Sequence, residues 1–218
     1  MRISKDPDVR KRELLRAAEE LFRDNSYEKT SVSDIVKKVG VAQGTFYYYF
    51  KSKDDVLNAV IDHYIDMYVA GLERLLSNDQ IDPMSKIEMV VNDGLSMHIC
   101  DRKFVEFLHA EENLVTHQRY MMKSFDEVIP IITKIVEQGV TAGIFNVENP
   151  KEVVEIMVFA FGYLEDALFL SSGDEQYFRR LRAAEQLTER ALGIPKGSIH
   201  IDPSTASNIS SEDYYREF

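Results

Sequence analysis

The chain has 218 residues, of which 44% are hydrophobic and 11% aromatic, and this composition excludes a disordered protein. Ten Gly and six Pro are few for this length, so long helices are favoured over many short strands. The single cysteine, Cys100, excludes an intrachain disulfide. No apolar run reaches the roughly 20 residues of a membrane span, and no secretory signal is apparent. We therefore expect a cytoplasmic protein without a membrane partner.

The formal net charge of −11 is unevenly distributed along the chain. Residues 1–53 carry 12 basic and 8 acidic side chains, a net of +4, whereas residues 54–218 carry 14 and 29, a net of −15. A strongly acidic chain is a poor candidate for coating nucleic acid without sequence preference. A basic N-terminal segment followed by an acidic remainder, which we call the body, is instead the pattern expected when only the N-terminal segment contacts phosphate.

Apolar residues recur at helical spacing throughout, and no segment shows the clean alternation of a strand. The sequence predicts an all-α fold of about nine helices. In chain order they cover about residues 9–23, 32–39, 42–49, 53–76, 84–100, 103–112, 114–140, 150–170 and 174–192. Pro130 falls inside the seventh helix and predicts a kink or a break there.

Capping signals set the bounds of the second predicted helix. Thr30 and Ser31 are good N-cap residues, and Asp34 follows Ser31 at the spacing of a capping box. Gly40 comes where a helix ends with a positive φ. A short third helix follows directly, and this arrangement predicts a helix-turn-helix.

The third predicted helix exposes an unusual set of side chains. Only Val41, Phe46 and Phe50 are clearly suited to the core, which leaves Gln43 and three consecutive tyrosines, 47–49, for the outside. Tyrosine hydroxyls can bond phosphate oxygens, and their rings can contact sugars and thymine methyl groups. Ordinary core packing of some of these tyrosines is the alternative interpretation.

Residues 9–56 resemble the DNA-binding domain of the TetR/AcrR family of transcriptional regulators. The resemblance rests on three segments: Ala17-Ala18 with Leu21-Phe22, the run TSVSDI at 30–35, and the run GTFYYYFKSKDDVL at 44–57. It implies a homodimer that binds double-stranded operator DNA. The positions implied or suggested as DNA contacts are Thr30, Ser31, Ser33, Gln43, Gly44, Thr45, Tyr47, Tyr48, Tyr49, Lys51 and Lys53.

The expected organisation has three parts. Residues 1–53 form the helix-turn-helix domain, residues 54–192 a larger helical domain for ligand binding and dimerisation, and residues 193–218 an extended or disordered tail. The resemblance implies that the last two helices pair with their copies as a four-helix bundle, with an intrachain core as the alternative. The predicted interface residues are Ile156, Ala160, Leu164, Ala167, Leu168, Leu181, Ala184 and Leu187.

A ligand cavity is expected in the larger domain, for an effector that the sequence does not identify. Ligand sites are mostly apolar with few polar groups, and Met and aromatic side chains suit adaptable ones. The candidate lining residues are Met67, Tyr68, Met97, Phe104, Phe107, Leu108, Tyr120, Met121, Phe125, Phe159 and Tyr163. The acids Glu111 and Asp166 are candidates for binding a cationic ligand.

No metal site, cofactor or enzymatic activity is predicted. His98 and Cys100 lie on different helix faces, and His109 has too few partners for a closed metal site. The chain contains no phosphate-binding loop, GxSxG, HExxH or paired cysteine ligands. The favoured function is a ligand-released repressor, with an activator or a ligand-independent regulator of the same fold as alternatives.

Overall fold

The computed structural model describes residues 6–100, 108–110, 113–169 and 175–205, and the side chains at 96–100, 166, 168–169 and 205 are not described. Eight helices lie in these ranges: α1 Pro7–Asn25, α2 Val32–Val39, α3 Gln43–Tyr49, α4 Lys53–Ser77, α5 Pro83–Cys100, α6 Leu114–Thr141, α7 Pro150–Phe169 and α8 Glu175–Leu192. No strand occurs in them, which confirms the all-α class. Eight of the predicted helices begin and end within two residues of these bounds, and most of the remaining one, at 103–112, falls outside the described residues.

Helix α2 begins and ends where the sequence predicts, and α1 extends two residues beyond its predicted bounds at each end. Asp6 caps α1 by accepting a hydrogen bond from the Asp8 amide at 2.9 Å. In α2 the capping box is complete: Ser31 Oγ accepts from the Asp34 amide, and the Asp34 carboxylate accepts from the Ser31 amide at 2.9 Å. Gly40 ends α2 with φ 75°, a left-handed conformation that glycine adopts without steric cost.

Helix α6 continues without a break through Pro130. A proline inside a helix leaves the carbonyl four residues earlier, here that of Asp126, without its usual donor. Both Pro130 and Asp126 are exposed, so water can satisfy that carbonyl. The solvent-facing position explains why the helix is not divided there.

Two hydrophobic clusters organise the core, and α4 contributes to both. The N-terminal cluster joins α1, α2 and α3 to the first half of α4. Its buried members are Leu14, Ala17, Ala18, Phe22, Ile35, Val36, Phe46, Phe50, Val56, Leu57, Ile61, Ile65 and Leu108. The body cluster takes Leu72 and Leu75 from the second half of α4 and packs them with α5, α6, α7 and α8.

A lysine is buried at the junction of α4, α5 and α6. Lys86 is 2% exposed, and its Nζ donates to the Leu76 carbonyl at 2.8 Å and to Gln138 Oε1 at 3.0 Å. Leu76 lies in the last turn of α4, where free carbonyls and the helix dipole favour a cation. Lys86 therefore caps α4 from the neighbouring helix.

The described part of the tail, residues 193–205, packs against the body. Its backbone is irregular apart from a 3₁₀ turn at Pro203–Thr205, and Ile194, Ile199 and Ile201 are buried in the body cluster. The buried carboxylate of Glu189 accepts hydrogen bonds from the Gly197 amide, from the Ser198 amide at 3.0 Å and from the Ile199 amide at 3.5 Å. Side chains of the helices thus accept the hydrogen bonds of backbone amides in a segment that forms no regular helix or strand of its own.

None of the helices in the described part of the chain combines the length and apolar character that a bilayer crossing requires.

Replacing Glu189 by alanine is expected to loosen this segment and to lower the free energy of unfolding by about 1–3 kcal/mol, because three backbone amides lose an acceptor that is itself buried. Urea unfolding measures the loss, and hydrogen exchange at residues 197–199 locates it. Gln186→Ala, at an exposed position of the same helix, is the matched control. It should change neither the free energy of unfolding nor the hydrogen exchange at residues 197–199. Unchanged protection of the 197–199 amides in Glu189→Ala would contradict this account.

Candidate functional site

Helix α3 is anchored by one side and uncovered on the other. Phe46 is fully buried, and the ring of Phe50 packs beside it at 5.6 Å between centroids. On the opposite side Tyr47 is 53% and Tyr48 76% exposed. The helix is held rigidly by its aromatic core while its outer face stays open to a partner.

The exposed face of α3 carries the predicted contact residues in one continuous strip. Gln43 and Gly44 are exposed at its beginning, and Thr45 and Tyr49 are half-buried along its edge. The rings of Tyr48 and Tyr49 meet edge to face at 4.8 Å, which restrains both side chains. The strip offers an amide, hydroxyl groups and aromatic edges, the groups that reach DNA bases, sugars and phosphates.

The predicted contacts beside α2 fall into two groups. Ser31 and Ser33 are exposed, and Ser31 also serves the capping box of α2. The side chain of Thr30 is 2% exposed, and its hydroxyl donates to the Ser26 carbonyl at 2.8 Å. This hydroxyl closes the turn between α1 and α2, which does not favour a DNA contact by the Thr30 side chain.

The two lysines at the start of α4 differ in their surroundings. Lys51 is exposed and its backbone amide donates to the Asp55 carboxylate at 2.8 Å. Lys53 is half-buried: its Nζ donates to the Tyr27 carbonyl at 2.8 Å and lies 3.9 Å from the centroid of the Tyr27 ring. A phosphate contact by Lys53 would compete with these interactions, so Lys51 is the better placed of the two.

The body contains a cavity of about 250 Å³ between α4, α5, α6, α7 and the end of α8. Its wall is mostly aliphatic, aromatic and Met side chains. The described lining residues are Tyr64, Ile65, Met67, Tyr68, Ile87, Val90, Val91, Gly94, Leu95, Tyr120, Met121, Ser124, Phe125, Val128, Ile132, Val136, Val154, Met157, Val158, Phe161, Gly162, Glu165 and Leu192.

Five of the predicted lining residues surround this cavity: Met67, Tyr68, Tyr120, Met121 and Phe125. Three others do not. Phe159 and Tyr163 are 50% and 75% exposed on the outer face of α7, and Leu108 is buried in the N-terminal cluster. Phe104, Phe107 and Glu111, and the side chains of Met97 and Asp166, lie outside the described residues.

Sequence reasoning found Tyr68 and Tyr120 but missed three other polar residues of the cavity, Tyr64, Ser124 and Glu165. Helical spacing alone could have placed Tyr64 with Met67 and Tyr68 on one face of α4. For α7, Phe159 and Tyr163 are larger and more apolar than Glu165, so a rule based on residue type selects the wrong face. The opposite face, with Val154, Met157 and Phe161, turns inward.

The hydroxyls of Tyr68 and Tyr120 are neutral at physiological pH. Burial is the main cause that raises the pKa of both, and nearby charge raises it further, mainly that of Asp93 for Tyr68 and that of Glu165 for Tyr120. Tyr64 donates a hydrogen bond of 2.9 Å from its hydroxyl to Glu19 Oε1 on α1. Through this bond the cavity wall is connected directly to the N-terminal cluster.

Gly162 lets α6 and α7 approach closely beside the cavity. A Cβ atom at this position would lie 2.6 Å from the terminal methyl of Met121 and 2.8 Å from Cζ of Phe125. The side chains of α6 therefore occupy the space that any larger residue would need.

Large apolar side chains are exposed on α7 and α8. Ile156, Phe159 and Tyr163 lie on one face of α7, and we call these three residues the outer apolar face. Phe178 and Leu187 are exposed on α8, where their spacing of nine residues puts them on opposite sides of the helix. A concentration of large exposed side chains on two adjacent helices is typical of a protein interface.

The predicted interface residues divide between this face and the core. Ile156 belongs to the outer apolar face, Leu187 is exposed on α8, and Ala160 and Leu164 are half-buried. Ala167, Leu181 and Ala184 are buried within the chain at 8%, 7% and 5% exposure, which favours the alternative of an intrachain core for these three. Their helical spacing matches an intrachain contact as well as an interface, so the sequence could not separate the two. The side chain of Leu168 is outside the described residues.

Sequence comparison places both halves of the chain in one family. Residues 14–60 match the model for bacterial regulatory proteins of the tetR family, and residues 97–185 match the model for the tetracyclin repressor-like C-terminal domain. The fatty acid metabolism regulator protein of Bacillus subtilis (strain 168) is 26% identical over 136 residues, which cover 60% of this chain and 68% of that protein. The HTH-type transcriptional repressor KstR2 of Mycolicibacterium smegmatis is 23% identical over 203 residues, which cover 88% of this chain and 92% of that protein.

Structural comparison agrees with the sequence. FadR from Bacillus subtilis, solved in complex with stearoyl-CoA, superposes with a TM-score of 0.60 at 20% identity, and the match covers 87% of this chain and 99% of that one. At this identity the likeness concerns the fold, and the family follows from the two matched models. The chain with the uncovered α3 and the body cavity therefore belongs to the TetR family of transcriptional regulators.

Proposed function

We propose that this protein is a homodimeric, cytoplasmic repressor that binds a palindromic operator through α3 of each protomer. The observation that carries the proposal is the arrangement of α3, with Phe46 fully buried and Tyr48 76% exposed. A helix that is fixed by its core and open along one side is what the major groove requires of a recognition helix. The net charge of +4 on residues 1–53 favours contact with phosphate, and the acidic body keeps the rest of the protein away from it.

The outer apolar face is the proposed dimer interface. A twofold axis beside α7 and α8 would bury Ile156, Phe159 and Tyr163 against their copies as a four-helix bundle. Such a dimer presents two α3 helices, and an operator with half-sites one turn apart, about 34 Å, would accept both on one side of the DNA.

Ligand release is proposed to act through α4, because this helix carries both the cavity wall and part of the N-terminal cluster. Tyr64 and Met67 line the cavity, while Ile61 and Ile65 are buried in the N-terminal cluster. Two further links join α4 to α6: Arg119 donates to Asn58 at 2.9 Å and Lys123 to Asp62 at 2.6 Å. A ligand that displaces the cavity wall would shift α4 and change the spacing of the two α3 helices. Coupling of about 1–3 kcal/mol is typical of such two-site systems.

Tyr48→Ala is expected to weaken operator binding about tenfold or more, because a hydrogen bond to a charged group contributes about 1.5–3 kcal/mol. Fluorescence anisotropy with a duplex from the region upstream of the protein's own gene, at fixed salt, measures the change. Tyr48→Phe separates the hydroxyl from the ring. Val115→Ala, at a 71% exposed position on α6, is the control for truncating an exposed apolar side chain. Wild-type affinity in Tyr48→Ala would remove α3 from the proposed interface.

Ile156→Glu is expected to convert the dimer to a monomer, because a carboxylate would be buried against its own copy. Light scattering after size-exclusion chromatography reads the mass, and operator affinity should fall with it. Val115→Glu introduces the same charge at an equally exposed site outside this face and should remain dimeric. A dimeric Ile156→Glu with a native circular dichroism spectrum would show that the interface lies elsewhere.

Tyr64→Phe is expected to lower operator affinity several-fold in the ligand-free protein, because it removes the hydrogen bond that holds α1 to the cavity wall. Hydrogen exchange of the α1 amides should quicken in parallel. Tyr177→Phe removes a hydroxyl from a half-buried tyrosine on α8 that does not line the cavity, and it should leave both readouts unchanged. A double-mutant cycle with Glu19→Gln tests the pair: additive losses would show that the two side chains act independently.

A further inference from the structure

We propose that residues 197–202 form a strap that ties α5 to α8 and restrains the wall of the cavity, so that an effector which displaces this wall also releases the strap. The inference rests on the proposed function only in taking the cavity as the effector site. It adds a regulatory role for a segment that lies beyond residue 185, where the match to the C-terminal family model ends.

Helix α8 holds the strap through two carboxylates. Glu189 accepts hydrogen bonds from the Ser198 amide at 3.0 Å and from the Ile199 amide at 3.5 Å. Glu185 accepts one from the Ile201 amide at 3.0 Å. Because Glu189 is itself buried, this side of the strap is fixed within the body.

Helix α5 holds the intervening amides. The His200 amide donates to Glu88 at 2.9 Å, and the Asp202 amide donates to Asn92 at 2.8 Å. The amides of residues 199–202 are thus bonded in turn to α8, α5, α8 and α5, since successive amides of an extended chain point in opposite directions. The strap joins the two helices in the way that a central strand joins its two neighbours.

The side chains of the strap alternate as well. Ile199 and Ile201 are 4% and 3% exposed within the body cluster, whereas His200 between them is exposed. Apolar burial therefore keeps the strap on the body, and the hydrogen bonds determine which helices it joins.

The turns of α5 that hold the strap are also turns that line the cavity. Ile87 and Val91 are lining residues, and the residue after each of them, Glu88 and Asn92, bonds the strap. Consecutive residues of a helix lie about 100° apart, so the two sets project to neighbouring sides of α5. A hydrogen bond that is lengthened by about 1 Å is broken. A ligand that displaces α5 by that much would therefore detach this helix from the strap.

The strap has a similar relation to α8. Glu185, Glu189 and Leu192 are spaced by four and three residues, so they share one face of this helix. Leu192 lines the cavity, and the two glutamates bond the strap. Both helices that the strap joins thus contribute to the cavity wall, and a change in their separation acts on the strap bonds.

The coupling between effector and strap is reciprocal. If a ligand favours release of the strap, then release of the strap favours binding of the ligand by the same factor. The apparent affinity rises in proportion to the fraction of molecules in which the strap is open. Removing one hydrogen bond of ordinary strength raises this fraction about fivefold while the closed form predominates.

Fluorescence titration of the full-length protein with N-phenyl-1-naphthylamine, a neutral apolar dye, tests the first direction of this coupling. Glu88→Ala removes the acceptor of the His200 amide, and Asn92→Ala removes that of the Asp202 amide. We expect each substitution to raise the affinity for the dye about fivefold. Unchanged or weaker dye binding in both variants, or no dye binding by any of the three proteins, would overturn the proposal.

Hydrogen exchange in the unmodified protein tests the other direction and does not depend on the folding of any variant. Saturation with the same dye should quicken exchange of the amides at residues 199–202 about fivefold or more, because the bound form favours the open strap. Exchange at these amides that is slowed or unchanged by the dye would show that the strap and the cavity are not coupled.

Two further variants separate release of the strap from other effects. Glu88→Gln keeps an acceptor oxygen for the His200 amide and should retain the dye affinity of the unmodified protein. Ile35→Val removes a buried carbon atom from the N-terminal cluster and controls for a general loss of stability. A rise in dye affinity in Ile35→Val equal to that in Glu88→Ala would mean that the dye reports general loosening, and the proposal would fail.

Failure of this proposal is distinguishable from failure of the proposed function. Operator binding in the absence of dye tests the regulator function in a separate measurement. A protein that binds its operator, but whose dye affinity does not depend on the strap, would remain a regulator with a purely structural tail. If the dye results hold and no operator is bound, the coupling of strap and cavity stands and the role of the cavity changes.

Discussion

The packing of α4 into two hydrophobic clusters is the constraint on which the rest of the structure depends. Ile61 and Ile65 are buried with α1, α2 and α3, and Leu72 and Leu75 are buried with the body. A continuous helix transmits a displacement along its length with little loss, because its backbone hydrogen bonds resist bending. The N-terminal cluster and the body cluster are therefore joined by one helix, and hydrogen bonds from Tyr64, Arg119 and Lys123 reinforce that connection.

Helix α7 has a comparable double role in the body. Val154, Met157 and Phe161 face the cavity, whereas Ile156, Phe159 and Tyr163 face outward. At 3.6 residues per turn the two sets lie on opposite faces, so a ligand and a second protomer would contact the same helix from different sides. Gly162 keeps this helix tight against α6, with Met121 and Phe125 filling the space. A ligand that moves these side chains would also act on α7, and hence on the proposed interface.

The sequence predicted the bounds of the helices well, but it predicted less well which face of each helix is buried. Capping residues such as Ser31, Asp34 and Gly40 act locally, so the bounds of α2 could be predicted to the residue. Which side of an apolar helix is buried depends on distant partners. Ala167, Leu181 and Ala184 have the small or apolar character of interface residues, yet they pack within the chain. Thr30 shows the same limit. It is a good N-cap residue by type, but its hydroxyl bonds to the Ser26 carbonyl and closes the turn before α2.

The polar residues of the cavity show why residue type alone cannot identify a ligand site. A glutamate on an apolar helix is usually assigned to solvent, because burying a charge is costly unless it is paired. Glu165 nevertheless lines the cavity together with Tyr68 and Tyr120, so a rule that assigns every charged residue to the solvent misses it. A helical scaffold specifies where a cavity forms, and the few polar side chains that line such a cavity specify what can enter it.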